Sequence, residues 1–260
     1  MPDIKVDDGC TIHAEIEGQE GAPVLMLSNS LGTDLHMWDD QVAAFTQHFR
    51  LLRYDRRGQG KSDAPKGPYS MDRLGRDVLG VLDALGIAKI NWCGLSMGGM
   101  VGQWLGGNAQ NRIDKLILSN TACYYPDKSM WDARIKLVTE KGLEGIVDGN
   151  MERWFTKEFR ERSPQATGRI RTMFLNTKRD GFLGCCEAIR AMDHRPLLAK
   201  ITAPTLVIAG RHDPATPLEG NEFIKQHIPG AKLAVLEAAH IANVEQPKAY
   251  ADTVLGFLLN

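Results

Sequence analysis

The chain has 260 residues, 43% of them hydrophobic and 24% charged, with 31 Lys and Arg against 32 Asp and Glu. That length admits one large α/β domain or two small ones, and a formal net charge of −1 gives no general pull toward nucleic acid or an anionic membrane. No run of about 18 apolar residues marks a membrane helix, and Met1-Pro2-Asp3-Ile4-Lys5 lacks the basic-then-apolar pattern of a secretion signal.

Strand-like runs begin at 4–6 and 11–16, which alternate in polarity and lie close together, as an antiparallel hairpin at a sheet edge would. Further runs follow at 23–28 and 50–54. A helix is predicted over 70–85, opened by the N-cap residue Ser70 and stopped by Gly86, with Val78, Val81, Leu82 and Leu85 as its apolar stripe. Strands are predicted at 89–93 and 115–119, flanking a turn and a helix that includes 99–105. After residue 122 the alternation fails, and helices are expected at 131–141, 143–150, 151–159, 164–176 and 181–192. Strands return at 204–209 and 232–236, each followed by a helix opened by proline, 217–227 and 247–258.

Continuous apolar runs such as Val24-Leu25-Met26-Leu27 and Leu206-Val207-Ile208 read as strands covered on both faces. Strands alternating with helices imply a doubly wound, mostly parallel sheet. The helical stretch 122–196 is too long for a loop. It is expected to be a cap inserted after the sixth strand, over the carboxyl ends of the strands where such sheets bind ligands. Residues 1–121 and 197–260 would form the core.

The chemistry is concentrated in Gly94-Leu95-Ser96-Met97-Gly98. This is a G-x-S-x-G elbow in a strand–turn–helix frame, the context that presents a serine hydroxyl at the top of a sheet. A Cβ at Gly94 or Gly98 would obstruct the close approach of strand and helix. A serine needs a base to take its proton, and in the α/β-hydrolase arrangement acid and histidine follow the serine in that order. Asp213 lies just beyond the strand 204–209, and His240 just beyond the strand 232–236. His240 is therefore the expected base and Asp213 its orienting acid. His212 sits on the acid loop and is read as structural. Attack on a carbonyl also needs oxyanion donors. These are expected from the N–H of Met97 and, in the loop Ser28-Asn29-Ser30-Leu31-Gly32, from that of Leu31.

Ser28–Gln41, Tyr54–Asp63, Trp92–Gly99, Asn120–Ile135 and Ala209–Glu219 together resemble the 3-oxoadipate enol-lactonases, a branch of the α/β-hydrolase family, from about residue 10 to the C-terminus. Many members of the wider family carry His-Gly where this chain has Asn29-Ser30, and histidine where it has Gln59. The resemblance implies an α/β-hydrolase fold, with an eight-stranded mostly parallel sheet, helices on both faces and a helical cap. It also implies hydrolysis of 3-oxoadipate enol-lactone in aromatic-compound catabolism, without metal or organic cofactor. A small carboxylated lactone calls for a cation or donor in the cap, and Arg134, Arg190 and Trp131 are the candidates. A general carboxylesterase, a carbon–carbon bond hydrolase or a slow small-molecule receptor on the same scaffold would share these motifs.

The five cysteines, Cys10, Cys93, Cys123, Cys185 and Cys186, are odd in number and lack a secretion signal, which points to reduced thiols in a cytoplasm. No second Cys or His pair accompanies Cys185-Cys186 at metal spacing, so zinc is not expected. The basic cluster of Arg160, Arg162, Arg169 and Arg171 is interrupted by Glu158 and Glu161 and reads as a solvated helical face. No nucleic-acid or membrane partner is expected, and oligomeric state is left open.

Overall fold

The apolar runs pair into one eight-stranded sheet of order β1-β2-β4-β3-β5-β6-β7-β8. The structure, a computed structural model, describes residues 3–260; residues 1 and 2, part of the segment read for a secretion signal, lie outside them. The strands are β1 (Asp3–Lys5), β2 (Thr11–Glu17), β3 (Val24–Ser28), β4 (Arg50–Tyr54), β5 (Ile90–Leu95), β6 (Ile113–Ser119), β7 (Thr205–Gly210) and β8 (Lys232–Leu236). β2 runs antiparallel to both β1 and β4, and every other pairing is parallel. The hairpin expected at the sheet edge is therefore present. β5 and β7 are buried at every position, as strands covered on both faces must be.

The core helices are α1 (Asp39–Phe45), α2 (Met71–Ala84), α3 (Met97–Asn108), α10 (Leu218–His227), α11 (Ala242–Glu245) and α12 (Pro247–Leu258). Ser70 caps α2 by accepting from the Arg73 N–H, as its residue type favours. α1, α11 and α12 pack together, as do α2 and α3, so the two groups cover the two faces of the sheet. α3 is longer than expected because the turn at Ser96 passes directly into helix at Met97.

Between β6 and β7 lie α4 (Ser129–Lys141), α5 (Val147–Trp154), α6 (Lys157–Arg162), α7 (Pro164–Leu175), α8 (Arg179–Ala191) and α9 (Arg195–Leu198). The expected helices 143–150 and 151–159 are divided elsewhere. The break falls at Phe155-Thr156, because the Thr156 side chain caps α6 by accepting from the Phe159 N–H. This segment is tied to the core by backbone bonds from Ile241 N–H to the Trp154 carbonyl, 3.0 Å, and from Tyr69 N–H to the Gly184 carbonyl, 3.2 Å. All five cysteines are free and buried. No helix among the described residues is long and apolar enough to cross a membrane.

Candidate active site

Ser96 occupies the turn between β5 and α3 with φ 57° and ψ −114°, a positive-φ conformation that costs a non-glycine residue energy and persists only under tertiary restraint. The restraint is visible. Ser96 N–H donates to the Ser119 carbonyl at 2.8 Å, and the Thr121 hydroxyl donates to the Ser96 carbonyl at 2.7 Å. A Cβ at Gly94 would strike the Gly98 carbonyl, and one at Gly98 the Ser28 carbonyl. The two glycines of the motif are thus required by packing.

The loops after β7 and β8 bring Asp213 to His240. Nδ1 of the histidine lies 2.8 Å from Asp213 Oδ2, and both side chains are buried. Oδ2 also accepts from the Thr216 hydroxyl at 2.6 Å and from Asn120 Nδ2 at 3.0 Å, while Oδ1 accepts from the N–H groups of Ala215 and Thr216. Burial by itself would raise the Asp213 pKa. The charge and hydrogen bond of His240, with the Thr216 and Asn120 donors, outweigh it and hold the carboxyl below its ordinary value. Nδ1 facing a carboxylate leaves Nε2 as the nitrogen available to a reacting group. Sequence reading missed Thr216 and Asn120. The Asp-x-x-Thr spacing of an Asx-type turn could have revealed the first; nothing local marks the second. His212 is exposed and faces Glu237 at 3.2 Å.

In the loop after β3, Asn29 and Ser30 are buried. The N–H groups of Leu31 and Met97 donate to no atom among the described residues. Met97 is the first residue of α3, where a helix leaves its N–H groups unpaired and the positive end of its dipole exposed.

One cavity joins Leu31, Ser96 and His240 of the core. Its walls also include Trp131, Arg134 and Arg153 from the helical segment. Ser96 and His240 share it without a hydrogen bond between them, a pair that closes around substrate in many apo sites. Arg134 lies over the Trp131 ring, 5.3 Å from its centroid. Trp131 Nε1 is buried with no hydrogen-bond partner among the described residues. Neither Arg134 nor Arg153 has a carboxylate within ion-pair distance among the described residues; Arg153 instead donates to the Asn150 side chain. Burial lowers the pKa of both, and the Arg134 charge lowers that of Arg153 further. The structure does not bring Arg190 into the cavity. Its guanidinium is exposed and paired with Asp132 at 2.5 Å and Glu187 at 3.6 Å. Sequence reading missed Arg153, which occupies the place expected of Arg190. Among the described residues no group of three or more His, Cys, Asp or Glu could hold a metal ion.

Comparisons with known proteins agree with this architecture. The family model described as alpha/beta hydrolase fold matches residues 23–179 and 134–247. The chain is 44% identical over 237 residues to 3-oxoadipate enol-lactonase 2 of Acinetobacter baylyi, covering 91% of this chain and 89% of that protein. It is 38% identical over 250 residues to 3-oxoadipate enol-lactonase 1 of the same organism, covering 96% and 94%. The crystal structure of the enol-lactonase from Burkholderia xenovorans superposes with a TM-score of 0.97 at 43% identity, covering 100% of both chains.

Proposed function

The chain belongs to the α/β-hydrolase family, and from that premise we propose that it opens 3-oxoadipate enol-lactone to 3-oxoadipate through a Ser96–His240–Asp213 acyl-enzyme mechanism. The observation that carries this reading is the meeting, in one cavity, of Ser96 and His240 with two arginines that have no acidic partner among the described residues.

Ser96 Oγ attacks the lactone carbonyl while His240 takes its proton, and Asp213 holds the histidine in the required tautomer. The N–H groups of Leu31 and Met97 receive the oxyanion. As the ring C–O bond breaks, His240 returns the proton to the departing enol oxygen, and the enol then becomes a ketone. The ester is cyclic, so the leaving group stays tethered to the acyl-enzyme. His240 next takes a proton from water, whose oxygen attacks the acyl carbon and releases the second carboxylate and Ser96. No step calls for a metal or organic cofactor.

The substrate carboxylate lies against Arg134 and Arg153. Two cations held in one poorly hydrated cavity repel, and an anion relieves both that repulsion and their lost hydration. The unpartnered Trp131 Nε1 supplies a neutral donor at the same wall. The helices between β6 and β7 act as the cap that excludes water. A cytoplasmic location fits five free, buried cysteines.

The test is direct. Purified protein should abolish the ultraviolet absorbance of the enol-lactone, and a folded Ser96→Ala protein should not. Hydrolysis of simple esters with the enol-lactone left at its background rate would overturn the substrate assignment and leave a general esterase.

A further inference from the structure

Arg56 is almost completely buried, yet has no carboxylate within ion-pair distance among the described residues. Its guanidinium donates mainly to main-chain carbonyls, with Ser28 Oγ a longer contact of Nη1 at 3.4 Å. Nη1 and Nη2 donate to the Asn29 carbonyl at 3.2 and 3.0 Å, and Nη2 also reaches the Ser30 carbonyl at 3.3 Å and Gln59 Oε1 at 3.2 Å. These carbonyls belong to the loop that carries the Leu31 donor. Gly98 N–H, two residues beyond the nucleophile, donates to the same Asn29 carbonyl at 3.1 Å.

We infer that Arg56 is a positioning residue that builds the oxyanion hole from behind. A trans peptide is planar, so its C=O and N–H point in opposite directions. The peptide joining Ser30 to Leu31 has its carbonyl held by Arg56 and, at 3.0 Å, by the Thr33 hydroxyl. Its N–H must then face away from Arg56, and Leu31 lines the cavity beside Ser96. The neighbouring peptide is fixed in the same way, its carbonyl on Arg56 and its Ser30 N–H on Met37 Sδ at 3.3 Å. A charge-assisted bond to a carbonyl also polarises the amide, which strengthens its N–H as a donor. The opposite side of the hole repeats the device, with Thr121 holding the Ser96 carbonyl so that the Met97 N–H is turned outward. Arg56 touches no reacting atom and acts through the Leu31 peptide. A cation is suited to this place because oxyanion stabilisation depends on dipoles fixed before the charge develops.

The inference rests on the reading of Leu31 as an oxyanion donor, and its test avoids the enol-lactone. Arg56→Gln and Arg56→Lys are compared with wild type, with folding checked by circular dichroism. The readouts are p-nitrophenyl acetate turnover, the Ki of phenylboronic acid and the Ki of adipate. Phenylboronic acid forms a tetrahedral adduct on the Ser96 oxygen, whereas adipate engages only the arginine wall. In Arg56→Gln, kcat and boronic-acid affinity should both fall by about 10- to 100-fold, less than the loss from deleting an oxyanion donor outright, while adipate binds as before. Arg56→Lys keeps a cation without the planar fork and should lose about three- to tenfold on the same two readouts. It decides the matter alone if Arg56→Gln does not fold. A folded variant with kcat and boronic-acid affinity within about twofold of wild type overturns the inference. So does parallel loss of adipate binding, which would mean general collapse of the site. Wild-type protein that hydrolyses the ester but not the enol-lactone overturns only the substrate assignment.

Discussion

Asn120 stands at the end of β6 in a left-handed backbone conformation, φ 43°, and donates its side-chain amide to Asp213 Oδ2 at 3.0 Å. The same amide reaches the Ala239 carbonyl at 3.2 Å, one residue before His240. One side chain thus ties the strand beside the nucleophile to both the acid loop and the histidine loop. Asn120→Gly tolerates the positive φ and removes the amide. A hydrogen bond to a charged group is worth about 1.5–3 kcal/mol; with part of it expressed in the transition state, kcat should fall about tenfold, and with the remainder lost from the folded state the melting temperature should fall by several degrees. Unchanged kcat in a folded protein would remove Asn120 from the site's support.

Asp213→Asn should reduce kcat by about 10⁴-fold, because an amide favours the wrong histidine tautomer. Ser96→Ala should cost several orders of magnitude, and the double variant no more than the worse single one, since the groups act as a unit. The nearby acids offer no substitute: Asp39 pairs with Arg53 and Asp40 with Arg169. An active Asp213→Asn enzyme would show that the acid lies elsewhere.

Selectivity should reside in the arginine wall. The free-acid lactone should exceed its methyl ester in kcat/KM by roughly tenfold to a hundredfold, the value of a charge-assisted hydrogen bond. Arg134→Gln should erase most of that preference and Arg153→Gln part of it. Arg190→Gln should leave it intact, because that side chain is already paired outside the cavity. Equal handling of acid and ester by wild type would refute carboxylate recognition.

His194 gives the fold an acid-side weakness. It is buried, its Nδ1 has no partner among the described residues, and burial lowers its pKa from 6.5 to about 4, with Asp193 opposing the shift. A histidine with a depressed folded pKa contributes its full share of stability above its unfolded pKa. That share is lost as pH falls from about 6.5 toward 4, and amounts to about 3 kcal/mol. Asp213, whose pKa is also lowered, adds to acid lability only below the ordinary carboxylate range. Urea unfolding near pH 7 and near pH 4 should show His194→Phe losing about 3 kcal/mol less than wild type between the two. Equal losses would locate the acid sensitivity elsewhere.

Features whose causes are local can be read from the order of the amino acids alone. Strands buried on both faces must be continuously apolar, so central strands such as β5 and β7 were legible in outline, and the antiparallel pair at the edge was betrayed by its alternation. The elbow was legible because a strained turn between strand and helix demands glycine on both sides of Ser96. Asp213 and His240 followed because each lies a few residues past a recognisable strand. The helices between β6 and β7 were legible as a region and not in detail; the break at Thr156 depends on a side-chain cap that competes weakly with helical continuation. The role of each arginine, by contrast, is set by packing between distant elements. Arg134, Arg153 and Arg190 all lie in the helical segment and look alike in sequence. Arg190 is neutralised by Asp132 on another helix, whereas Arg134 and Arg153 are left to face the cavity. Arg56 lies in a polar loop, and its work on the Asn29 and Ser30 carbonyls, 27 and 26 residues away, has no local signature. A guanidinium pairs with whatever acceptor packing brings within about 3 Å, and that distance is set by the fold.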